Sequence, residues 1–246
     1  MSSGAGPDGG AGHDGGAGGG GGLTGEMRAA AATVWEAQLA HPFVRGLADG
    51  TLPPETFERW VRQDYLYLRE FARVFAWAAA KADRLEAMAW YAAVLDLTLN
   101  TEMALHRAYA ARFGISEAEL EAEEMWPTTR AYTDFLVRMA AGGDMAELLA
   151  ALLPCAWGYA WLGARLAEGA RPADARYADW IDQYASEEFQ KAAEWLRAET
   201  ERVAAGAGPE RRARLVALFE LSSRYELRFW DICWRGESWE AAGDRA

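Results

Sequence analysis

Apolar residues recur three and four positions apart almost everywhere from Leu23 onward, whereas alternating runs of β-branched residues are absent. This spacing places apolar side chains along one face of an α-helix, while a half-buried strand needs a period of two. At 246 residues the chain is long enough for one substantial core and too short to require two. The sequence therefore predicts an all-α helical bundle, without strands and without an internal repeat.

Capping and breaking residues divide this pattern into helices. Pro53 and Pro54 mark the start of a long helix, because proline in the first turn costs no hydrogen bond. Ser116 and Glu119 have the spacing of a capping box. Asp144 precedes an apolar run as an N-cap. The predicted helices cover about 24–40, 53–82, 85–113, a short helix from 116, 128–141, a central helix from 144, 174–185, 186–205 and 209–235.

The first 22 residues differ in composition from the rest of the chain. They hold about half of the 25 glycines and no side chains that can form a core. Such a segment cannot offset the conformational entropy of ordering, so we expect a disordered glycine-rich tail over 1–22 and a single helical domain over 23–246. His13 lies in this tail, and we expect no function for it.

Charge and cysteine content limit the partners and the compartment. The formal net charge is −12 and the pI about 4.8, which disfavours nucleic acid and anionic membrane surfaces. We interpret the basic run of Arg211, Arg212 and Arg214 as a solvated helix face. The chain has two cysteines, too few for a disulfide framework, and shows no secretory signal, so we expect a cytoplasmic protein.

An uncharged run of 17 residues, from Leu148 to Ala164, just reaches the lower limit for a membrane span. Its polar aromatic residues, cysteine and proline favour a central helix inside a bundle instead. Interior proline costs about 3 kcal/mol and interior glycine about 1 kcal/mol, so Pro154 and Gly158 need compensation. We expect a bend at the proline and a close approach of another group at the glycine.

Cys155 and Tyr159 lie four apart in this run and so share a helix face beside Pro154. Two interpretations stay open from this segment alone. Cys155 is either a small buried apolar residue or part of a reactive site.

Polar residues stand at helical spacing in two other strongly apolar helices. Asp64 and Tyr67 lie three apart in RWVRQDYLYLREF, and Glu226 and Phe229 repeat the arrangement in RYELRFWDICW. Tyr184 in DWIDQYASEEF adds a hydroxyl among aromatic residues. The alternative is that each acid pairs with a neighbouring arginine, such as Arg62 or Arg228.

Six segments, in order and spacing, resemble the TenA/thiaminase II family: HPFVRGLADGTL, QDYLYL, NTEMALH, PCAWGYAWLG, WIDQYASEEF and YELRFWD. The resemblance covers about residues 24 to 240. It implies a haem-oxygenase-like helical fold, a homotetramer and no metal or organic cofactor. It also implies a small-molecule aminopyrimidine substrate, whose bond between the methylene carbon and a nitrogen leaving group is hydrolysed. The expected reaction is thiamin salvage, from aminomethylpyrimidine to hydroxymethylpyrimidine plus ammonia, together with cleavage of thiamin itself.

The resemblance also implies roles for individual residues. Cys155 matches the family's nucleophile, which one branch of the family lacks, so it places the chain in the cysteine branch. Glu226 matches the acid/base carboxylate, and Asp64 matches the carboxylate that binds the aminopyrimidine edge. Tyr159 and Tyr184 match hydroxyl contacts around this site. Tyr67, Tyr132 and Phe229 match aromatic positions that line the ring pocket.

These roles agree with the chemistry of a pyrimidine ring. The ring accepts a nucleophile only when a ring nitrogen is protonated or hydrogen-bonded, which suits Glu226 if aromatic surroundings raise its pKa. Addition of the Cys155 thiolate lets the substituent on the methylene leave, water replaces it, and loss of sulfur restores aromaticity. Because a free thiol has a pKa of about 8.5, Cys155 needs a neighbouring group to take its proton, and the sequence does not identify that group.

Three further residues receive a structural interpretation. Glu102 and His106 lie four apart, but the repeated Glu-x-x-His elements of a di-iron bundle are missing, so we expect a buried structural hydrogen bond for His106. We expect His41 to help end the first helix, and Cys233 to pack in the core near the pocket wall.

Two other functions stay open. One is a cofactor-free oxygenase like the quinone-biosynthesis relatives of the same fold, for which we expect more histidine and arginine around the site than this chain supplies. The other is a catalytically silent pyrimidine-binding or regulatory protein, against which the presence of Cys155 and Glu226 argues.

Overall fold

The computed structural model describes residues 21–240, and within this part of the chain all regular structure is helical. All but the last two residues of the predicted glycine-rich tail lie outside the described residues. There are twelve α-helices and one π-helical segment, Thr98–Glu102, between α5 and α6. The α-helices are α1 Leu23–Ala30, α2 Ala32–Leu39, α3 Pro42–Asp49, α4 Pro54–Lys81, α5 Leu85–Leu97, α6 Met103–Arg112, α7 Glu117–Ala122, α8 Pro127–Gly142, α9 Met145–Ala167, α10 Ala175–Ala185, α11 Glu187–Val203 and α12 Pro209–Arg235.

The uncharged helix α9 lies at the centre of the bundle. It packs most extensively against α12, α10 and α11, while α4 packs against α5 and α8 on another side. By length and composition α9 could cross a membrane, but 78% of its most apolar window is buried inside the protein. The structure thus agrees with the prediction of a central core helix.

Several helix boundaries follow from the signals in the sequence. Ser116 and Asp144 cap α7 and α9, and each forms a capping box with the glutamate three residues later. Proline occupies the first turn of α4, α8 and α12. Gly50 ends α3 at φ 78°, in the left-handed region that favours glycine.

The start of the chain differs from the prediction of one helix over 24–40. A break at Ala31 separates α1 from α2, and α3 was not predicted. His41 directly follows Ala40, the C-cap of α2, and its backbone N–H donates a hydrogen bond of 3.1 Å to the carbonyl oxygen of Gln38 in the last turn. Its Nδ1 also accepts a hydrogen bond of 3.1 Å from the backbone N–H of Phe43, so it caps the start of α3.

The predicted helix over 85–113 is also interrupted, because residues 98–102 form a π-helix. One extra residue per turn shifts the side chains that follow onto a different face, and such segments often occur at functional sites. Thr98, Thr101 and Glu102 of this segment line the main cavity.

The glycine that permits close packing on α9 is Gly163, not Gly158. A Cβ at Gly158 would meet only a ring carbon of Trp35 at 4.0 Å, an ordinary contact. A Cβ at Gly163 would lie 2.5 Å from the carbonyl carbon of Tyr184. Gly163 therefore lets α10, and with it Tyr184, approach the central helix.

The basic run at the start of α12 is not simply solvated. Arg211 pairs with Asp144 and Glu147, and Arg214 also pairs with Glu147. Arg212 pairs with Glu26 on α1 at 2.8 Å. These ion pairs join the first two turns of α12 to neighbouring helices.

Candidate active site

A cavity of about 620 Å³ lies between α4, the α5–α6 region, α9, α10 and α11. Its wall follows one face of α4 through Asp64, Leu68, Phe71 and Phe75. At a rise of 1.5 Å per residue, these positions span about 16 Å along the helix. The cavity is therefore elongated, with Asp64 at one end of this face and Phe75 at the other.

Five of the eight predicted site residues line this cavity: Asp64, Tyr67, Cys155, Tyr159 and Tyr184. They come from three helices that meet at the polar end, namely α4, α9 and α10. Cys155 and Tyr159 both face it, as their spacing on one helix predicts.

The other three predicted residues, Tyr132, Glu226 and Phe229, form a layer behind the cavity wall. The ring of Tyr67 lies 5.3 Å from that of Tyr132 and 6.1 Å from that of Phe229, measured between centroids. Tyr132 and Phe229 therefore support the ring of Tyr67 in this structure, in place of the direct lining that we predicted.

Glu226 on α12 is 2% exposed and accepts a hydrogen bond of 2.5 Å from the hydroxyl of Tyr132. Burial raises its pKa to about 8, and the charge of Asp64 adds to this effect. The hydrogen bonds from Tyr132 and Cys155 oppose the shift without cancelling it. At neutral pH Glu226 is consequently a carboxylic acid, able to donate a proton.

Cys155 interacts with both Glu226 and Tyr67. Burial raises the pKa of its thiol well above the ordinary value, and the neighbouring charge of Glu226 adds to this, while the nearby hydroxyl of Tyr67 acts in the opposite direction. The Tyr67 hydroxyl is buried and forms no well-oriented hydrogen bond within residues 21–240. In the resting protein Cys155 is a neutral thiol with a phenol and a carboxylic acid beside it.

Asp64 pairs with a histidine, and with no arginine in the described part of the chain. Its Oδ2 lies 2.6 Å from Nε2 of His106, and both side chains are buried. The arginines in question bind elsewhere, Arg62 to Glu58 and Glu123, and Arg228 to Asp231.

Sequence reasoning missed the place of Glu102 and His106 in the site. The predicted buried hydrogen bond of His106 is confirmed, but its partner is a residue of the cavity wall. Glu102 lines the cavity, and burial raises its pKa. Their four-residue spacing was the available signal, but the partner on α4 lies 42 positions from His106 in the chain.

Two further observations concern the second cysteine and the possibility of a metal site. Cys233 is fully buried in the core, which confirms the packing role that we predicted for it. No group of three or more side chains within residues 21–240 has the arrangement of a metal site.

Among residues 21–240, the cavity wall carries acidic residues and no lysine, arginine or histidine. Two of the acids pair with arginines outside the wall, Asp179 with Arg112 and Asp182 with Arg171. The acids of the wall are Asp64, Glu102, Asp179, Asp182 and Glu188. The cavity thus suits neutral or cationic molecules better than anions.

A helical bundle with a ring-lined cavity, a thiol on the cavity wall and a buried carboxylic acid behind it has the features of a protein that binds a small molecule. The chain belongs to the TENA/THI-4/PQQC family, whose model matches residues 28–236. The family predicted from the six sequence segments is therefore confirmed.

Relatives agree over most of the chain. An aminopyrimidine aminohydrolase from Halalkalibacterium halodurans is 42% identical over 214 residues, which cover 87% of this chain and 96% of the relative. A crystal structure of a TenA family transcription regulator from Silicibacter sp. TM1040 is 33% identical, with a TM-score of 0.80, over 86% of this chain and 96% of that chain. A domain from Shewanella denitrificans with a heme oxygenase-like fold is 16% identical, with a TM-score of 0.66 over 85% and 91% of the two chains, and shows the fold alone.

Proposed function

We propose that this protein is a thiamin-salvage hydrolase that converts aminomethylpyrimidine to hydroxymethylpyrimidine and ammonia. The observation that carries the proposal is the pair formed by Cys155 on the cavity wall and buried Glu226 behind it, beside a polar end that presents Asp64. The name of the Halalkalibacterium relative supports the same reaction.

In the proposed mechanism the pyrimidine ring lies at the polar end of the cavity, with its amino edge on Asp64. The proposed proton donor to a ring nitrogen is Glu226, a carboxylic acid at neutral pH that lies beside Cys155 in the layer behind the cavity wall. The carboxylate so formed takes the proton of Cys155 as sulfur bonds to the ring carbon. Tyr67 donates a hydrogen bond to the sulfur while negative charge is present there.

The second half of the reaction restores the ring. The amine leaves the methylene carbon with the proton that Glu226 took from Cys155, and water adds to that carbon as a hydroxyl group while its other proton returns to Glu226. The bond between sulfur and the ring carbon then breaks, which restores aromaticity, and the proton on the ring nitrogen passes to the Cys155 thiolate. Two aromatic residues, Tyr159 and Tyr184, stand 4.9 Å apart between ring centroids at this end and supply hydroxyl contacts to the ring substituents.

We extend the proposal to the cleavage of thiamin into hydroxymethylpyrimidine and thiazole. The cavity volume of about 620 Å³ falls in the range of sites for drug-sized ligands, which exceed one substituted pyrimidine. Its apolar arm, lined by Phe71, Phe75, Trp90, Val94 and Leu196, has room for a ring-sized leaving group, and the acidic wall suits the positive charge of a thiazolium.

A second candidate is a pyrimidine-binding regulator without turnover, which the description of the Silicibacter structure favours. The cofactor-free oxygenase has less support, because the cavity wall supplies no basic side chain to hold an anionic quinone precursor.

Ammonia release from purified protein and aminomethylpyrimidine tests the proposal. We expect turnover by the wild type, and a loss of about a thousandfold or more in Cys155→Ser, because this change removes the nucleophile. Cys233→Ser is the matched control, since Cys233 is buried in the core and does not line the cavity, so turnover should stay unchanged.

Each unexpected result of this experiment would point to a different conclusion. Binding of the pyrimidine without ammonia release by the wild type would favour the regulator. Full activity of Cys155→Ser would contradict the covalent step. Release of thiazole from thiamin, measured in the same preparation, decides the wider substrate range.

We also propose a cytoplasmic homotetramer whose subunits each fold as one domain over residues 23–246. Exposed apolar side chains near the ends of α4 and α5 support assembly, because such clusters often mark interfaces. They are Trp77, Leu85, Met88, Leu97 and Leu99. Light scattering coupled to size exclusion should give four times the mass of 27.0 kDa, and a monomer would contradict this.

A further inference from the structure

The imidazole of His106 is held between two acceptors. Nε2 lies 2.6 Å from Oδ2 of Asp64, and Nδ1 lies 2.9 Å from the backbone carbonyl oxygen of Glu102. A carbonyl oxygen only accepts hydrogen bonds, so Nδ1 must carry a hydrogen. The ring orientation and one of its two proton positions are thereby fixed by the backbone.

The hydrogen bond to Asp64 needs a second proton between Nε2 and the carboxyl group. Burial alone would lower the pKa of His106, but the hydrogen bond and charge of Asp64, with smaller effects from Glu102, raise it above the ordinary value. An imidazolium that donates to a carboxylate satisfies both acceptors. The neighbouring rings of Trp60 and Tyr109, at 5.5 and 6.4 Å from the imidazole, restrict its movement.

Asp64 therefore has two oxygens in different situations. Oδ2 accepts a hydrogen bond from His106, whereas Oδ1 has no hydrogen bond within residues 21–240. Asp64 lines the cavity. A carboxylate held in this way presents one acceptor in a fixed direction. Such an acceptor suits an exocyclic N–H on a flat heterocycle.

We propose that His106 is a positioning residue that aims the free oxygen of Asp64 at the exocyclic amino group of the pyrimidine. This inference rests on the proposed function, since it takes Asp64 as the contact to the amino edge. It makes selection of the amino group depend on a side chain that lies outside the cavity wall.

The test compares two substitutions of similar polarity at His106. In His106→Asn the amide can still donate to the Glu102 carbonyl but is too short to reach Asp64. In His106→Gln the longer amide can reach Asp64 as Nε2 does. His41→Asn is the matched control, because it changes the other buried histidine and keeps a good helix cap.

Binding is measured by calorimetry in the Cys155→Ser background, with aminomethylpyrimidine and with its analogue that carries hydrogen in place of the 4-amino group. We expect the parent to prefer the amino compound by about tenfold or more, the scale of one hydrogen bond to a charged group. His106→Asn should reduce this preference to about twofold, His106→Gln should retain part of it, and His41→Asn should retain all of it.

A structural role and a positioning role give different results. If His106→Asn weakens both ligands by the same factor, or keeps the full preference, the inference is overturned. Equal binding of the two ligands to the parent would overturn the assignment of Asp64 in the proposed function, and the inference with it. Ammonia release by His106 variants that have an intact Cys155 should show a higher KM with a smaller change in kcat.

Discussion

Glu147 on α9 and Glu226 on α12 are both buried, and these two helices pack against each other. The pKa values of the two carboxyl groups nevertheless shift in opposite directions. Burial disfavours the charge of Glu147, but hydrogen bonds from Arg214 and Arg211 lower its pKa to about 2. Glu226 has Tyr132 and Cys155 as partners instead of cations, and burial raises its pKa to about 8. The same residue type thus stabilises the fold at one place and stores a proton at the other.

The largest expected effect comes from substituting Glu226, and it is an effect on catalysis. Glu226→Gln keeps a neutral polar side chain but removes the transferable proton, so kcat should fall by about 10²–10⁴ while the fold is retained. Initial rates of ammonia release and a thermal melt measure the two quantities. The control is Glu220→Gln on the same helix, whose side chain pairs with Arg224 away from the site; a similar loss of rate in this variant would contradict the account.

Substituting Glu147 should instead affect the stability of the fold. Glu147→Gln should lower the free energy of unfolding by about 1–2 kcal/mol at pH 7, a reduced value because Arg214 is largely exposed to solvent. Since the folded pKa lies below the unfolded one, this contribution is present above about pH 4.5 and is lost as pH falls towards 2. Urea unfolding at several pH values measures it. Equal stability of variant and wild type at pH 7 would show that the ion pairs contribute nothing.

The pH dependence at Glu226 should have the opposite sign. Because its folded pKa is raised, the folded state binds the extra proton between about pH 4.5 and 8, and the free energy of unfolding falls as pH rises through this window. Glu226→Gln should remove that decline, so the stability of the variant relative to wild type should increase from pH 5 to pH 8. Parallel curves for the two proteins in urea unfolding would contradict the raised pKa.

The smallest effect should come from Tyr132→Phe. This change removes a hydrogen bond that lowers the pKa of Glu226. The fall of rate on the alkaline side should therefore move to higher pH, by about one unit or less, with only a few-fold loss of kcat/KM. Tyr225→Phe is the control, because this ring stacks on Tyr132 at 5.1 Å but makes no hydrogen bond to Glu226. A shift to lower pH, or the same shift in both variants, would count against the assignment.

Helices were the part of the fold that the sequence predicted best, because apolar spacing and caps act locally. Asp144 and Ser116 start helices as expected. Helix α9 continues through Pro154, and the bend expected there stays a prediction. The π-helix at 98–102 was not predictable in this way, since one inserted residue leaves the apolar spacing almost unchanged. Gly163 was missed because its role depends on how closely α10 approaches.

The sequence predicted which residues gather at the candidate site, but not which of them line the cavity and which lie behind its wall. The resemblance supplied Asp64, Cys155 and Glu226, of which the fold brings Asp64 and Cys155 to the cavity wall and Glu226 to the layer behind Cys155. It gave no means of separating the wall from the layer behind it, where Tyr132 and Phe229 lie. Partners such as His106 depend on contacts between helices that are far apart in the chain, and these contacts have no local signal.

The central claim is that Glu226 holds a proton at neutral pH. The most direct test is the 13C NMR titration of glutamate side-chain carboxyls, with the Glu226 signal identified by its absence in Glu226→Gln. We expect this signal to titrate with a midpoint near pH 8. A midpoint near the ordinary glutamate value of about 4.3 would contradict the account.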